Sequence, residues 1–366
     1  MQFTVQRKDL LTALQTVIGV VERRQTMPIL SNILIRAEND RIVVTATDLE
    51  LELITDTPAV ISNPGSAAVP ARKLLDICRG LPDDAEITLH HDQQQTRVQS
   101  GRSRFTLATM SAQDWPYLDE VEEGQTITIA ERVLKGLLDR THFAMAHQDV
   151  RYYLNGLLLS LREDRARCVA TDGHRLALSD AQVNTGIDEP IQAIVPRKAI
   201  TELVRLLDGS EAEITLQLSS KHLRLQLPGL VFTTKLIDGR FPDYERVIPQ
   251  EADRQMHADR DTIRQALSRT AILSNEKFGG VRLALNDHSL RLQAQNVERE
   301  EAEDEIQVSY DSDPIEIGFN VNYLLEALGA MDSGEFTLSL SGPDSSGLLQ
   351  AVNDPATRYV VMPMRL

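Results

Sequence analysis

Two short clusters of side chains have the residue types and spacing needed for catalysis. Asp172-Gly173-His174 places a carboxylate two residues from an imidazole, a combination that can serve as a general acid–base pair. His90-His91-Asp92 offers three metal-ligating groups in a row. Neighbouring side chains on a strand point to opposite faces, and glutamines occupy positions 93–95. A solvated hairpin tip is therefore the better interpretation of the second cluster.

The aspartate of the first cluster belongs to a pattern that occurs three times. Asp48, Asp172 and Asn296 lie at successive intervals of 124 residues. Only the middle copy is followed by a histidine two positions later. We therefore interpret the shared residue as structural and His174 as a local addition. The alternative, a nucleic-acid enzyme that uses Asp172 and His174, remains open at this point.

A second pattern repeats in the same order and at nearly the same interval. It consists of Glu86-Ile87-Thr88-Leu89, Glu213-Ile214-Thr215-Leu216 and Glu335-Phe336-Thr337-Leu338, each preceded by a leucine-rich segment. An interval of this length is that of a whole domain, since solenoid and propeller repeats are about 20–50 residues long. The sequence therefore predicts three similar domains, at residues 1–120, 121–245 and 246–366.

Each predicted domain begins with a helix, continues with a group of strands, and then has a second helix followed by a second group of strands. Apolar residues at helical spacing open each repeat, and strict alternation of apolar and polar residues follows, as in an antiparallel sheet with one wet face. A second helix is predicted to begin near Pro70, Pro196 and Asn320. The apolar stripes of the opening helices are Leu10, Leu11, Leu14, Val17, Ile18 and Val21; Val133, Leu134, Leu137, Leu138 and Thr141; and Ile263, Ala266, Leu267, Thr270 and Ala271. We therefore expect an α+β fold of three similar domains, each with two helices and antiparallel sheets.

Composition indicates a cytoplasmic protein that needs no cofactor and no metal. Two cysteines, Cys78 and Cys168, favour a reducing compartment, and neither a signal peptide nor a membrane-spanning run is evident. Phosphate-binding loops, dinucleotide fingerprints and HExxH zinc motifs are missing from the sequence. The net charge of −16 argues by itself against a nucleic-acid partner.

The positions of the basic residues qualify that argument. They recur in the predicted helices of all three repeats, while acidic residues gather in strands and turns. A solvated face is the ordinary interpretation for any single helix, but a basic surface shared by three repeats can bind phosphates without reading bases. The residues are Arg7, Lys8, Arg23, Arg24, Arg72, Lys73, Arg79, Arg132, Lys135, Arg140, Arg197, Lys198, Arg205, Arg264, Arg269 and Lys277.

Four longer segments resemble the bacterial β sliding clamp, the processivity subunit of DNA polymerase III, and the resemblance covers nearly the whole chain. They are residues 147–156 (HQDVRYYLNG), 170–176 (ATDGHRL), 238–244 (DGRFPDY) and 361–366 (VMPMRL). The resemblance implies a non-catalytic protein in which two three-domain chains join head to tail. The resulting ring of six domains encircles double-stranded DNA with its helices lining the hole. Implied partners are the replicative polymerase alpha subunit, the clamp loader and other clamp-binding peptides.

The resemblance also implies three sets of site residues. The partner-peptide pocket maps onto Leu154, Thr171, Gly173, His174, Arg175, Leu176, Pro242, Arg246, Val247, Ser346, Val360, Met362, Pro363, Met364 and Arg365. DNA contacts are predicted at Arg24, Arg72, Gln148, Tyr152, Tyr153 and Lys198. For Tyr152 and Tyr153 the alternative, a buried aromatic pair, remains open at this point. The dimer interface maps onto Lys73, Arg102, Arg104, Phe105, Leu107, Ile272, Leu273, Glu298, Glu300, Glu301 and Glu303. Asp344 departs from the aliphatic residue expected at the edge of the pocket.

Overall fold

The computed structural model describes residues 1–21, 27–119, 121–250, 252–332 and 334–365. Helices in these ranges are α1 (Arg7–Val17), α2 (Ala71–Gly80), α3 (Glu131–Asp139), α4 (Arg197–Leu206), α5 (Arg260–Ala271) and α6 (Val321–Ala330). Strands of the first repeat are β1 (Gln2–Gln6), β2 (Asn32–Glu38), β3 (Arg41–Thr47), β4 (Leu51–Pro58), β5 (Val60–Asn63), β6 (Gly65–Pro70), β7 (Glu86–Asp92), β8 (Gln95–Ser100) and β9 (Ser103–Ala108).

The second and third repeats contain the remaining strands. The second repeat has β10 (Gln125–Ala130), β11 (Gly156–Arg162), β12 (Arg165–Thr171), β13 (Arg175–Gln182), β14 (Ile191–Pro196), β15 (Glu213–Leu218), β16 (His222–Leu227) and β17 (Leu230–Lys235). The third has β18 (Arg254–Asp259), β19 (Gly280–Asn286), β20 (Ser289–Gln295), β21 (Glu301–Gln307), β22 (Ile315–Asn320), β23 (Glu335–Leu340), β24 (Gly347–Ala351) and β25 (Asp354–Val361).

The helices follow the predicted pattern with one correction. Helices α2, α4 and α6 begin directly after Pro70, Pro196 and Asn320, as expected. Helix α1 buries its predicted stripe but ends at Val17, so the prediction that it continues to Val21 is wrong. Glycine and β-branched residues dominate positions 17–21, and both lower helix propensity.

Four antiparallel sheets contain all of these strands. Their orders are β5-β1-β7-β8-β9, β10-β15-β16-β17-β4-β3-β2-β6, β14-β11-β12-β13-β25-β24-β23-β18 and β21-β20-β19-β22. The two eight-stranded sheets each join strands of different repeats, through the β4–β17 and β13–β25 pairs. The α+β prediction with antiparallel sheets is confirmed.

Because sheets cross the repeat boundaries, compact units do not coincide with repeats. One unit contains Met1–Glu131 and Arg205–Leu236, and the other contains Arg132–Val204 and Ile237–Leu366. Every residue of the cavity described below belongs to the second unit. Across the described ranges, we find no helix with the length and apolarity required to cross a bilayer.

Candidate functional site

The Asp172 turn is structural in all three repeats. Asp172 Oδ1 accepts hydrogen bonds from the backbone N–H groups of His174 and Arg175 at 2.9 and 3.0 Å. Asp48 Oδ1 accepts the equivalent pair from residues 50 and 51 at 2.9 and 2.7 Å, and Asn296 Oδ1 accepts one from residue 300 at 2.9 Å. A side-chain oxygen that closes a turn in this way is the usual role of Asp and Asn in loops. The interpretation of Asp172 as structural is confirmed.

The catalytic alternative loses its geometric basis here. Both oxygens of the Asp172 carboxylate are occupied, because Oδ2 also accepts from Arg175 Nε at 3.1 Å. The His174 side chain is exposed, and within the described residues no hydrogen bond joins its ring to that carboxylate. The second cluster forms the predicted hairpin, with Asp92 pairing with Gln95 at the β7–β8 turn.

Gly173 makes room for an arginine side chain at a turn position where the first repeat has leucine. Its φ of +89° lies in the left-handed region, and a Cβ atom there would come within 2.9 Å of the Arg151 guanidinium. Asp149 holds that guanidinium through a hydrogen bond from Nη2 at 2.8 Å. Leu49 occupies the equivalent turn position with a φ of +77° and packs against a buried cluster around Trp115. The same turn therefore carries a packed leucine side chain in the first repeat and accommodates the Arg151 guanidinium in the second.

An apolar cavity of about 250 Å³ lies beside Gly173. Strands β12, β13 and β25 supply Thr171, Leu176 and Val360, and the segment after β17 supplies Pro242, Tyr244 and Val247. Leu154, Tyr153 and Met362 complete the apolar lining. Its floor belongs to a buried cluster that includes Phe241, Ile248 and Leu348. Such a shape suits apolar side chains of a ligand, with a few polar groups at the rim.

Arg175 lines the cavity, and its guanidinium is held by groups of the same chain. Its guanidinium donates to the Phe143 carbonyl at 2.8 Å and is paired with Glu326 of α6. It also lies 4.6 Å from the centre of the Tyr323 ring, a cation–π distance. Asp172 is a further partner of this guanidinium. The positive charge of Arg175 is therefore balanced by carboxylates of the same chain.

Nine of the predicted pocket residues meet around this cavity. They are Leu154, Thr171, Gly173, Arg175, Leu176, Pro242, Val247, Val360 and Met362. Four lining residues were missed by sequence reasoning: Arg151, Tyr153, Asp243 and Tyr244. All four stand within segments 147–156 and 238–244, so the resembling segments themselves were the available signal.

The other predicted pocket residues lie outside the lining. His174 contributes its carbonyl, which accepts from the Met362 N–H at 2.9 Å and extends the β13–β25 ladder. Arg246 is exposed and paired with Asp243 at 2.7 Å. Ser346 and Pro363 do not line the cavity, and Asp344 is exposed in the loop before β24. The doubtful edge at Asp344 is therefore not part of the cavity.

Met364 and Arg365 border a different groove and do not line the apolar cavity, so their assignment to the peptide site stays a prediction. This groove has a volume of about 630 Å³ and lies on β19, β20 and β21 of the third repeat. The strand registers of the two repeats make this groove the counterpart of the apolar cavity. Gly280 of β19 pairs with Asn320 of β22, as Gly156 of β11 pairs with Pro196 of β14. The polar side chains that its strands contribute are Arg282, Gln293, Gln295, Glu301 and Glu303, beside the small apolar Ala294 and Ala302.

The predicted DNA contacts are distributed between both units. Arg24 lies outside the described residues. Arg72 is exposed, and its guanidinium donates to the Val21 carbonyl at 2.7 Å, while Lys198 is half-buried on α4. Gln148 and Tyr152 are exposed, but Tyr153 belongs to the cavity lining rather than to that free surface.

Other helical cations are neutralised by neighbours: Arg7 by Asp83, Lys135 by Asp139 and Arg269 by Asp304.

Most of the predicted dimer residues lie on or beside two edge strands, and the others lie on or after helices. Arg102 immediately precedes β9, and Arg104, Phe105 and Leu107 lie on it, while Glu301 and Glu303 lie on β21; Lys73 is exposed on α2. Ile272, after α5, is 77% exposed with half-buried Leu273 beside it, whereas Leu107 is only 7% exposed. Glu298 and Glu300 are exposed in the turn before β21. In the described part of the chain, β9 and β21 each have one neighbouring strand.

Comparison with known proteins gives a consistent family. Models of the N-terminal, central and C-terminal domains of the DNA polymerase III beta subunit match residues 1–119, 128–243 and 245–365. The "Beta sliding clamp" of Pseudomonas putida is 50% identical over 370 residues, and that of Escherichia coli K12 is 44% identical over 367, each covering 100% of both chains. A crystal structure of the DNA polymerase III subunit beta from Pseudomonas aeruginosa is 48% identical, covers 100% of both chains and has a TM-score of 0.96. The chain therefore belongs to the family of bacterial DNA polymerase III beta subunits, the beta sliding clamps.

Proposed function

We propose that two copies of this chain close head to tail into a ring around double-stranded DNA and that the ring tethers the replicative polymerase. It is a non-catalytic processivity subunit that acts in the cytoplasm. Partner proteins, including the polymerase alpha subunit and the clamp loader, insert short peptides into the apolar cavity beside Gly173. Family membership over the full length carries this proposal, and the edge strands β9 and β21, two of the eight edge strands of the four sheets, support it.

The internal junctions support a head-to-tail dimer. The β4–β17 pair joins the first repeat to the second, and the β13–β25 pair joins the second to the third. The equivalent strands that remain are β21 of the third repeat and β9 of the first. An unpaired edge is a template for pairing with another chain. Pairing β21 of one chain with β9 of its partner twice closes a two-fold ring.

The internal registers also support a specific alignment at this joint. Glu52 of β4 and Leu176 of β13 are the first residues that pair with the preceding strand after the turns at Asp48 and Asp172. Across the internal junctions, Glu52 lies opposite Thr233 and Leu176 lies opposite Val360. Glu301 is their equivalent in β21, and Thr106 is the equivalent of Thr233 in β9. Continuing this register places Glu303 opposite the partner's Arg104 and Ala302 opposite the partner's Phe105. Opposite charges and apolar neighbours then meet on the correct faces.

The cavity supports peptide capture. Its lining is mostly apolar, and a small number of buried anchors usually carries most of the energy of such a contact. Leucine and phenylalanine side chains of a short extended peptide fit this chemistry. We also propose that Arg24, Arg72, Lys198, Gln148 and Tyr152 contact DNA. The matched family ranges support domain boundaries near residues 120 and 245.

A truncation tests the peptide site directly. Deleting residues 362–366 removes Met362 from the cavity and ends the chain after β25. The expected result is a folded ring of about 82 kDa, twice the 40.9 kDa of one chain, that no longer binds a leucine- and phenylalanine-containing peptide. Fluorescence anisotropy measures binding, and light scattering with size exclusion measures mass. Unchanged peptide affinity in an intact truncated ring would place the partner site elsewhere.

A further inference from the structure

Arg167 is a buried cation close to the cavity but outside its lining. It lies on β12, and its side chain is 12% exposed. Its Nε and Nη2 donate to the two oxygens of Asp180 on β13 at 2.6 and 2.8 Å. This two-point contact fixes the plane of the guanidinium. The pKa of Arg167 is raised above its ordinary value, chiefly by these hydrogen bonds to Asp180.

The third nitrogen of the same guanidinium reaches the segment that forms one side of the cavity. Arg167 Nη1 donates to the Tyr244 hydroxyl oxygen at 3.1 Å and lies 3.3 Å from the Glu245 carboxylate. Its central carbon is 6.0 Å from the centre of the Tyr244 ring. Tyr244 itself lines the cavity and meets Phe241 edge-on at 6.3 Å between ring centres. Arg167 thus connects a rigid strand to a cavity residue.

The segment held in this way has few other attachments. Pro242, Asp243, Glu245, Arg246 and Val247 are exposed, and buried Phe241 and Ile248 flank them. Between those two anchors, Tyr244 is the half-buried side chain that packs on the cluster beneath. A lining segment that moves must be ordered when a ligand binds, and that ordering lowers affinity.

We propose that Arg167 is a positioning residue for the apolar cavity: it holds Tyr244, and with it Pro242 and Val247, in the arrangement that receives a peptide. This rests on the proposed peptide-binding function of the cavity. Arg167 touches no ligand, so its effect passes through the Tyr244 hydroxyl. Arg165 is a matched control, since it lies on the same strand and is 3.9 Å from the same Asp180. Among the described residues, no hydrogen bond or ion pair joins Arg165 to the 242–247 segment, whereas Arg167 contacts Tyr244 and Glu245 there.

The test compares four single variants of the full-length ring in titrations with a labelled peptide bearing leucine and phenylalanine. Ordering one side chain is worth about 0.5–1.5 kcal/mol, so Arg167→Met is expected to raise the Kd about 2- to 12-fold. Tyr244→Phe keeps the ring and removes only the hydroxyl, and it should raise the Kd by a similar factor. Arg165→Met should leave the Kd unchanged. Arg167→Lys retains an ion pair with Asp180 and should recover thermal stability, but not peptide affinity.

The double variant Arg167→Met/Tyr244→Phe separates positioning from general destabilisation. If Arg167 acts through the hydroxyl, the double variant is no weaker than Arg167→Met alone. Additive effects, full rescue of affinity by lysine, or equal losses in Arg165→Met and Arg167→Met would each overturn the proposal. A wild-type ring that fails to bind the peptide would instead contradict the proposed function of the cavity.

Discussion

One residue differs at the repeated turn that lies beside the cavity. Leu49 and Gly173 stand at equivalent positions with similar positive φ angles of +77° and +89°. Leucine at the first position packs into the cluster around Trp115, whereas glycine at the second leaves room for the Arg151 guanidinium. A side chain at Gly173 would displace Arg151 from its place at the cavity rim.

Gly173→Ala is therefore expected to weaken peptide binding about tenfold or more, beyond its effect on stability. Gly186→Ala is the matched control, because Gly186 has a φ of +65° and open space where a Cβ would stand. Both variants should lose about 1–2 kcal/mol of stability from left-handed strain. Thermal unfolding measures that shared loss, and anisotropy measures the Kd. Equal Kd values for the two variants would mean that the Arg151 contact is irrelevant to binding.

The two cysteines are expected to be inert in the folded protein. Burial raises the pKa of the Cys78 thiol to about 12 and also raises that of Cys168. A raised pKa keeps each thiol protonated at pH 8, and the thiolate is the reactive form. A disulfide reagent that releases a coloured product when it reacts with a thiol should detect no thiol in the native protein. After denaturation it should detect both cysteine thiols. Fast labelling of either cysteine in the native state would contradict the described burial.

At the scale of elements, the same hydrogen bond marks the end of every repeat. The segment that follows each last strand donates an N–H to the carbonyl in the middle of an edge strand. The bonds are Met110 to Ala68 at 3.0 Å, Ile237 to Ile194 at 2.9 Å and Met364 to Gly318 at 2.8 Å. The repeats are thus equivalent in hydrogen bonding as well as in sequence, which is why the registers of two internal junctions can be transferred to a third.

The transferred register predicts a charge-swap result at the ring joint. Arg104→Glu or Glu303→Arg alone places like charges opposite each other and should shift the protein toward monomers of 40.9 kDa. Combining both substitutions restores the opposite pair and should restore the dimer. Light scattering at low salt measures the mass, and circular dichroism checks that each variant is folded.

The Ile272 contact provides an independent disruption of the same joint. Ile272→Ala with Leu273→Ala should weaken the dimer without the possibility of charge rescue, since it removes apolar area from the interface.

For the charge-swap prediction, a double variant of Arg104→Glu and Glu303→Arg that stays monomeric, while both single variants remain folded, would show that the proposed register is wrong.

At the scale of the whole molecule, an acidic protein can hold DNA by topology rather than by charge. The net charge of −16 disfavours tight direct binding, and several helical arginines and lysines are already paired with carboxylates. An encircling ring needs little direct affinity, because escape requires either an opened joint or a free DNA end.

A loaded ring is therefore expected to remain on nicked circular DNA and to leave after one cut by a restriction enzyme. Gel filtration of labelled protein with the DNA measures retention before and after cutting. Charge reversal at Arg72 or Lys198 should reduce loading while the fold, checked by thermal unfolding, stays intact. Persistent retention on linear DNA with unblocked ends would be incompatible with encirclement.

The sequence by itself determined the repeats, the helix starts and the structural role of Asp172. These features depend on residues close together in the chain, whose spacing sets helical or strand periodicity and whose turn residues bond to their own neighbours. Resemblance to a known family supplied most of the residues around the cavity, including Leu176 and Val360. Neither approach identified Tyr153 as a cavity residue, because a half-buried aromatic has the same sequence pattern on a surface and in a lining.

Only the tertiary structure decided which strands join the repeats and what holds the cavity open. Phe232 pairs with Leu53 across most of the first two repeats, and Arg167 bonds to Tyr244 from 77 residues away. Arg175, which also lines the cavity, is paired with Glu326 from 151 residues away. Contacts of this kind depend on how strands are brought side by side, and no local periodicity encodes them. The sequence therefore gives the identity of a residue such as Tyr244, whereas long-range packing determines where its side chain lies.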